Sequence, residues 1–127
     1  MNTTNGCPFC SLPAGRLMFS RGQALAFKDA FPVSPGHTLL APKRHVGSLF
    51  DLDHTERDDV FSALSIARDY LMSEFKPDGF NVGINDGIAA GQTVMHLHVH
   101  LIPRYAGDVG DPRGGIRWLF PDKAKYW

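Results

Sequence analysis

A single long helical pattern, set between short apolar runs, constrains the fold of this chain more than any other sequence feature. Apolar residues recur at helical spacing, at Val60, Leu64, Ala67, Leu71 and Phe75. Asp53 predicts the N-cap, and Glu56 stands three residues later, as a capping box requires. Pro77 interrupts the pattern. We therefore expect one amphipathic helix that begins after Asp53 and ends before Pro77.

Short apolar runs, separated by glycine and proline, predict strands on both sides of this helix. Five runs have this character: residues 16–19, 24–27, 37–42, 80–84 and 94–102. Residues 20–22 predict a tight turn that joins the first two runs into a hairpin, and Pro103 closes the last run. Because the connections are hairpin-like, we expect an α+β fold, a mainly antiparallel five-stranded sheet with the long helix on one face.

Length and composition favour one domain over residues 1–127. The chain has 127 residues, of which 43% are apolar and 20% are charged, and its formal net charge is zero. This balance gives no electrostatic reason to expect nucleic-acid or membrane binding. The first ten residues lack the basic and apolar regions of a signal peptide, and no apolar run reaches the length of a membrane span. We therefore expect a soluble cytoplasmic protein.

Three histidines alternate along the last predicted strand. Because strand side chains point alternately to the two faces, His96, His98 and His100 are expected on one face, with neighbours roughly 6–7 Å apart. The apolar residues of the opposite face are expected to bury against the helix, namely Met95, Leu97, Val99 and Leu101. Three interpretations are open at this point: solvent-exposed histidines, a metal site that uses a His-x-His pair, and an imidazole nucleophile oriented by its neighbours.

The chain has two cysteines, in the sequence Cys7-Pro8-Phe9-Cys10. This number excludes a disulfide scaffold, and the spacing is typical of a dithiol redox motif or of a metal site. Glutaredoxin-like proteins place a strand directly before such a motif, whereas residues 1–6 are polar and too short for one. Zinc is the better interpretation, but two thiolates supply only half of a tetrahedral site.

The residues around the three histidines resemble the histidine-triad family. Its signature alternates three histidines with apolar residues and ends in two apolar residues, and residues 96–102, HLHVHLI, fit it at every position. Further similar blocks occur in family order: AFKD at 26–29, PVSPGH at 32–37, APKRH at 41–45, Asn85 and AGQT at 90–93. The resemblance covers about residues 7–105 and leaves residues 106–127 as a C-terminal tail.

This resemblance implies covalent chemistry on the histidine strand. His98 would attack an α-phosphorus and carry the nucleotidyl group, and His100 would contact the phosphate. Asp29 would accept the ribose hydroxyls, and Asn85 would meet the sugar-phosphate. Donors to the phosphate are expected in the loop before the strand, at Gly91, Gln92 and Thr93.

A resemblance to zinc-containing bacterial members of the family completes the metal site. The implied ligands of a structural zinc are Cys7, Cys10, His45 and His96. Two other histidines receive no role, since His37 is expected to hydrogen-bond within its turn and His54 to be exposed. The segment after the cysteines is short, so a short helix or a turn is expected there. Family members are commonly homodimers, which implies a homodimer here as well.

Together these residues imply a nucleotide hydrolase. Residues 91–93 and 104–108 look closer to the branch of the family that hydrolyses dinucleoside polyphosphates than to the phosphoramidase branch. A nucleoside phosphoramidate hydrolase and a nucleotide-binding regulatory protein with little turnover stay open as alternatives. Trp118, Tyr126 and Trp127 are too apolar for a free tail, so we expect the tail to pack on the protein or across a dimer interface.

Overall fold

An antiparallel sheet of five strands and one long helix form the framework of the computed structural model, which describes residues 6–127. The strands are β1 (Leu17–Arg21), β2 (Ala24–Lys28), β3 (Thr38–Pro42), β4 (Gly79–Gly83) and β5 (Val99–Arg104). Their spatial order is β1-β2-β3-β5-β4, and every neighbouring pair is antiparallel. The helix, α1, spans His54–Glu74. The predicted α+β fold is confirmed, and a single 3-10 turn at Ala14–Arg16 follows the cysteines.

The start of α1 has the predicted capping box. The Asp53 carboxylate accepts a hydrogen bond from the Glu56 backbone N–H at 2.8 Å, and the Glu56 carboxylate accepts one from the Asp53 N–H at 3.0 Å. Glu56 is buried and also accepts two bonds from the Arg44 guanidinium, at 2.7 and 2.8 Å, which lower the pKa of Glu56. Because Arg44 follows β3, this ion pair fixes the helix start beside the end of that strand.

The apolar side of α1 packs on one face of the sheet. The buried side chains of this layer include Val60, Ala63, Ala67 and Leu71 from the helix, and Ala24, Ala26, Leu40, Val99 and Leu101 from the strands. The predicted position of Phe75 on this side is wrong, because Phe75 lies past the last helical residue and is 42% exposed. Within residues 6–127, no helix has the length and apolar character that a bilayer span requires.

The hairpin turn lies later than predicted. Ser20 and Arg21 belong to β1, and the turn consists of Gly22 and Gln23. Gly22 has φ +54°, a left-handed conformation that favours glycine. The Gln23 backbone N–H donates to the Asp59 carboxylate of α1 at 2.7 Å. A contact with the helix, distant in sequence, therefore helps to fix this turn.

The last strand also begins and ends later than predicted. β5 includes Pro103, and His96 and His98 lie in the irregular segment that leads into the strand. Pro103 is compatible with the strand because it lies beyond Leu101, the last residue that pairs with β3. The prediction that His96 and His98 belong to the strand is therefore wrong, but the alternation of sides is kept. Leu97, Val99 and Leu101 are buried in the helix-facing core, while Phe9 contacts both the His96 and the His98 rings and His98 lies beside His100. Met95, predicted in the core, is 44% exposed.

The tail after β5 folds back on itself in two short 3-10 turns, Gly115–Leu119 and Pro121–Lys123. The Arg117 guanidinium joins them by donating to the backbone carbonyls of Lys123 at 2.6 Å and Ala124 at 2.9 Å. Ala124 is fully buried. The tail thus folds back on itself, but Trp118, Tyr126 and Trp127, which are predicted to pack, are 40%, 73% and 41% exposed.

Candidate active site

Contacts with the loop after β3 hold the segment before β5 in an irregular conformation. The Leu97 backbone N–H donates to the Val46 carbonyl at 2.7 Å. The buried Gln92 side chain accepts a bond from the Gly87 N–H at 2.8 Å and donates to the Gly47 carbonyl at 2.9 Å. These bonds replace the ladder that a strand would have made, and they set the positions of the two histidines in this segment.

His96 lies in a cluster with His45 and the two cysteines. Its Nε2–H donates to the Pro42 carbonyl at 2.8 Å, so the lone pair of the neutral ring is on Nδ1. Nδ1 lies 3.6 Å from the Cys7 Sγ and 3.5 Å from the Cys10 Sγ. The Cys10 Sγ lies 3.2 Å from the His45 Nδ1. Burial lowers the pKa of His96 and so favours the neutral form that a metal ligand requires.

These separations match a tetrahedral zinc site. Zinc–sulfur bonds of about 2.3 Å and zinc–nitrogen bonds of about 2.0 Å at the tetrahedral angle place sulfur and nitrogen roughly 3.5 Å apart. The four ligand atoms lie within 4.8 Å of one another. Two thiols and two imidazoles are also a ligand set typical of structural zinc. The predicted ligands, Cys7, Cys10, His45 and His96, come together and fit the metal.

His98 presents one ring nitrogen without a proton. Its Nδ1–H donates to the His96 backbone carbonyl at 2.8 Å, which leaves the lone pair of the neutral ring on Nε2. The ring packs edge-on against Phe9, with centroids 4.9 Å apart, and Phe9 packs in turn on Phe27. Since Phe9 stands between the two cysteines, the cysteine loop also supports the orientation of His98. An imidazole held in this tautomer is suited to nucleophilic attack.

A chain of hydrogen bonds fixes the tautomer of His100. The Val33 backbone N–H donates to His37 Nδ1 at 3.1 Å, so the proton of the neutral His37 ring is on Nε2. His37 Nε2–H then donates to His100 Nδ1 at 2.9 Å, which places the His100 proton on Nε2. Burial lowers the pKa of both rings and keeps them neutral near pH 7. His98 therefore offers a lone pair and His100 a donor, on rings 5.1 Å apart.

Asp29 joins His37 and His100 in a second group of ligand-type side chains. Its carboxylate lies 3.4 Å from His37 Nε2 and accepts a bond from the Phe31 N–H at 2.8 Å. A cation in this group would need the lone pair of His37 Nε2. That nitrogen carries the proton, because Nδ1 accepts from the backbone. This group is therefore built for hydrogen bonding rather than for metal binding.

The remaining predicted site residues lie in the segment between β4 and β5. Asn85 is half-buried and lines the same groove as His37. Gly91 and Thr93 are exposed, and Gly91 has a left-handed φ of +94°. The Gln92 amide donates to backbone carbonyls, so it holds the loop together instead of facing a phosphate. Asn85 thus joins the histidines, whereas Gln92 acts on the site through the loop.

His37 is the site residue that the sequence prediction missed. The predicted local bond is present, since His37 contacts the Val33 N–H, but its other nitrogen bonds His100. The sequence signal that could have identified His37 is its position directly before β3. Because Leu39 of β3 pairs with His100 of β5, the start of β3 lies near His100. That signal becomes informative only once the pairing of β3 with β5 is known.

A groove of about 770 Å³ opens beside the histidines. The sheet strands β4 and β5 and the tail supply most of its lining, which includes His37, His100, Asn81, Ile102, Ile116 and Trp118. A volume of this size is typical of sites for drug-sized ligands. The geometry thus defines an α+β protein in which the hydrogen-bonded pair His37 and His100 lines a groove of the size that ligands occupy.

A protein-family model identifies this class more closely. The model of the HIT domain matches residues 14–107, which include β1 to β5, α1 and all three histidines before and within β5. The chain therefore belongs to the HIT domain family, as the sequence resemblance predicts.

Relatives and a solved structure agree with this assignment. The asymmetrical bis(5'-nucleosyl)-tetraphosphatase of Schizosaccharomyces pombe is 38% identical over 104 residues, which are 81% of this chain and 57% of that protein. The bis(5'-adenosyl)-triphosphatase of Saccharomyces cerevisiae is 42% identical over 98 residues, 76% of this chain and 44% of that protein. A HIT family protein from Bacillus anthracis has a crystal structure with TM-score 0.76 and 38% identity, covering 86% of this chain and 80% of that one. The chain thus spans about half the length of the two named hydrolases.

Proposed function

We propose that this chain is a nucleotide hydrolase that cleaves dinucleoside polyphosphates at the α-phosphate through a nucleotidyl intermediate on His98. The observation that carries the proposal is the hydrogen bond from His98 Nδ1 to the His96 carbonyl at 2.8 Å. It holds the neutral ring with its lone pair on Nε2, the state in which a histidine attacks phosphorus. The names of two relatives, a tetraphosphatase and a triphosphatase of dinucleosides, support this substrate class.

The proposed reaction consists of two displacements. In the first, the His98 Nε2 lone pair forms a nitrogen–phosphorus bond while the bond from the α-phosphorus to its bridging oxygen breaks, and the leaving phosphate keeps the electron pair. In the second, a water oxygen bonds to phosphorus and releases a proton to solvent. The nitrogen–phosphorus bond breaks, and its electron pair returns to Nε2. The products are a nucleoside monophosphate and the remaining nucleotide.

Neighbouring polar groups serve the two parts of the α-nucleotide. His100 carries its proton on Nε2 and donates to a phosphate oxygen, and His37 keeps His100 in that tautomer. Asp29 accepts the ribose hydroxyls with its carboxylate, and Asn85 contacts the sugar-phosphate from the wall of the groove. Thr93, exposed in the loop before the histidines, supplies a hydroxyl donor.

The cluster of Cys7, Cys10, His45 and His96 is assigned to a structural zinc ion. When bound there, zinc cross-links the N-terminal segment to the loop after β3 and to the segment before β5. Phe9, between the cysteines, packs on the His98 ring and transmits this restraint to the nucleophile. Neither displacement needs a ligand of this cluster, so the cluster affects the chemistry through geometry.

A homodimer formed at the β4 edge of the sheet is the assembly we propose. β4 pairs with β5 on one side only, and Val82 of β4 is 49% exposed. An exposed edge strand is a template for pairing with a second chain. Sedimentation equilibrium is expected to give twice the chain mass of 14.0 kDa. A chain-mass species at micromolar concentration would contradict the dimer.

A substrate panel tests the proposed activity. Diadenosine polyphosphates are expected to be hydrolysed to AMP and the complementary nucleotide faster than adenosine 5'-phosphoramidate is hydrolysed to AMP and ammonia. Chromatographic identification of both products in each reaction makes the comparison. Faster phosphoramidate hydrolysis would show that nucleoside phosphoramidates are the substrate class instead. Tight nucleotide binding with no products from either substrate would instead assign the chain a regulatory binding role.

A further inference from the structure

The groove beside the histidines extends away from the proposed α-nucleotide site. In the sheet, β5 lies between β3 and β4. Asp29 follows β2 and therefore lies on the β3 side of His100, whereas Asn81 of β4 and the tail line the groove on the other side. A substrate with two nucleosides joined through phosphates can then direct one nucleoside toward Asp29 and the other into this groove.

The charges along this part of the groove are paired within the protein. The Arg104 guanidinium donates two bonds of 2.8 Å to Asp108 and one of 2.7 Å to the Asn81 side-chain oxygen. The same guanidinium holds the pKa of Asp108 well below its usual value. Asp111 pairs with Arg113 at 3.0 Å. With these charges matched, the groove favours a neutral group over a chain of phosphates.

The lining around these ion pairs is largely apolar and includes Val33, Ile102, Val109, Pro112, Ile116 and Trp118. The Trp118 indole N–H donates to the Arg113 carbonyl at 2.9 Å, which fixes the orientation of the ring. Trp118 is 40% exposed, so its ring is neither in the core nor free. A fixed and partly exposed indole is a platform on which a nucleobase can stack.

We propose that this groove binds the nucleoside of the leaving nucleotide, with its base stacked on Trp118 and flanked by Ile116. The inference rests on the proposed function, because it needs a substrate that carries a second nucleoside. Both side chains belong to the tail, outside the residues 14–107 that match the HIT domain. The tail of this chain is then the element that distinguishes dinucleoside polyphosphates from substrates with a small leaving group.

Steady-state kinetics with diadenosine tetraphosphate test this assignment, with AMP as a competitor that carries one nucleoside. Trp118→Ala is expected to raise the KM for diadenosine tetraphosphate roughly tenfold, as expected for the loss of one base–aromatic stack. The inhibition constant of AMP is expected to stay close to the wild-type value, because AMP occupies the α-nucleotide site. Trp118→Phe keeps an aromatic ring and is expected to restore most of the affinity.

Ile116→Glu is a second variant that does not depend on the Trp118 ring. Ile116 is 63% exposed, so a charged residue is compatible with folding there. The new carboxylate would face the leaving nucleotide and is expected to raise the same KM. Phe120 supplies the matched control, because it is an aromatic residue of the same tail that is 71% exposed and is not part of the groove lining. Phe120→Ala is expected to leave the KM unchanged.

Each contrary result has a distinct meaning. An unchanged KM in Trp118→Ala and Ile116→Glu, or an equal rise in the KM and in the AMP inhibition constant, would overturn the groove assignment and leave the hydrolase proposal standing. If Trp118→Ala changed the oligomeric state in solution and left the KM unchanged, the groove would be an interface with a second copy of the chain. Wild-type protein that binds AMP but does not hydrolyse diadenosine tetraphosphate would overturn the proposed function and this inference with it.

Discussion

Replacement of His98 by alanine is expected to reduce turnover of diadenosine tetraphosphate by at least about 10⁴-fold. The attacking lone pair on Nε2 is lost, and the neighbouring imidazoles are not oriented to replace it. His100 has its proton on Nε2 while its Nδ1 accepts from His37, and the lone pair of His96 faces the cysteines. Single-turnover rates measure the loss directly, and circular dichroism checks that the variant is folded.

His54 provides the matched control for this experiment. It is an exposed histidine in the first turn of α1, and its ring nitrogen contacts Arg57 on the same helix. His54→Ala removes the same chemical group and is expected to keep wild-type turnover. A folded His98→Ala variant that retains more than a few per cent of wild-type activity would show that another group attacks the phosphorus.

Loss of the metal cluster is expected to have the second large effect, on stability. Purified protein should contain about one zinc ion per chain, and Cys10→Ser should lose it, because three ligands hold zinc far less tightly than four. The midpoint of thermal unfolding is then expected to fall by roughly 10 °C or more. Turnover should fall only several-fold, since Phe9 loses part of its support against His98 while the nucleophile remains.

Ser11→Ala is the control for the cysteine variant. Ser11 is exposed and adjacent to Cys10, so this change should keep both the zinc and the unfolding temperature. Mass spectrometry measures the zinc content of the wild type, Cys10→Ser and Ser11→Ala, and thermal scans measure their unfolding midpoints. Wild-type protein without metal, in which Cys7 and Cys10 form a reducible disulfide, would contradict the zinc assignment and favour a redox role.

The sequence predicted well those parts of the fold that local chemistry determines. The capping box of Asp53 and Glu56 specifies the helix start with residues three positions apart, and both bonds are present. The alternation of apolar and polar residues around Phe80 and Val82 likewise specifies β4. The metal cluster was predicted differently. Cys7 and Cys10 lie three positions apart and indicate a metal site locally, but their partners His45 and His96 were identified through the family resemblance.

Features that depend on contacts distant in sequence were not predicted. Residues 93–98 alternate as a strand does, yet the Gln92 amide and the Leu97 N–H bond the loop after β3 and bend the segment out of the sheet. The same applies to His37, whose bond to His100 follows from the pairing of β3 with β5. No local pattern encodes either contact. Alternation therefore predicted correctly that Leu97, Val99 and Leu101 are buried, but it placed His96 and His98 in the strand, which is wrong.

The tail illustrates the same limit at larger scale. Its aromatic residues predict packing, yet Tyr126 is 73% exposed, and Trp118 borders the groove that His37 and His100 line. That position results from the turn after β5, where Asp108 accepts bonds from Arg104 and from the Tyr105 N–H. A specificity role for the tail is therefore an inference that needs the three-dimensional structure.

Attack by His98 on phosphorus is tested by the stereochemical course of hydrolysis at the α-phosphorus. A dinucleoside polyphosphate with a chiral α-phosphorothioate, hydrolysed in isotopically labelled water, yields a product whose configuration can be determined by phosphorus NMR. We expect net retention, because attack by His98 and then by water are two in-line displacements that each invert the centre. Net inversion would exclude His98 as the nucleophile, since inversion indicates a single attack by water, as in hydrolysis by a metal-activated water molecule.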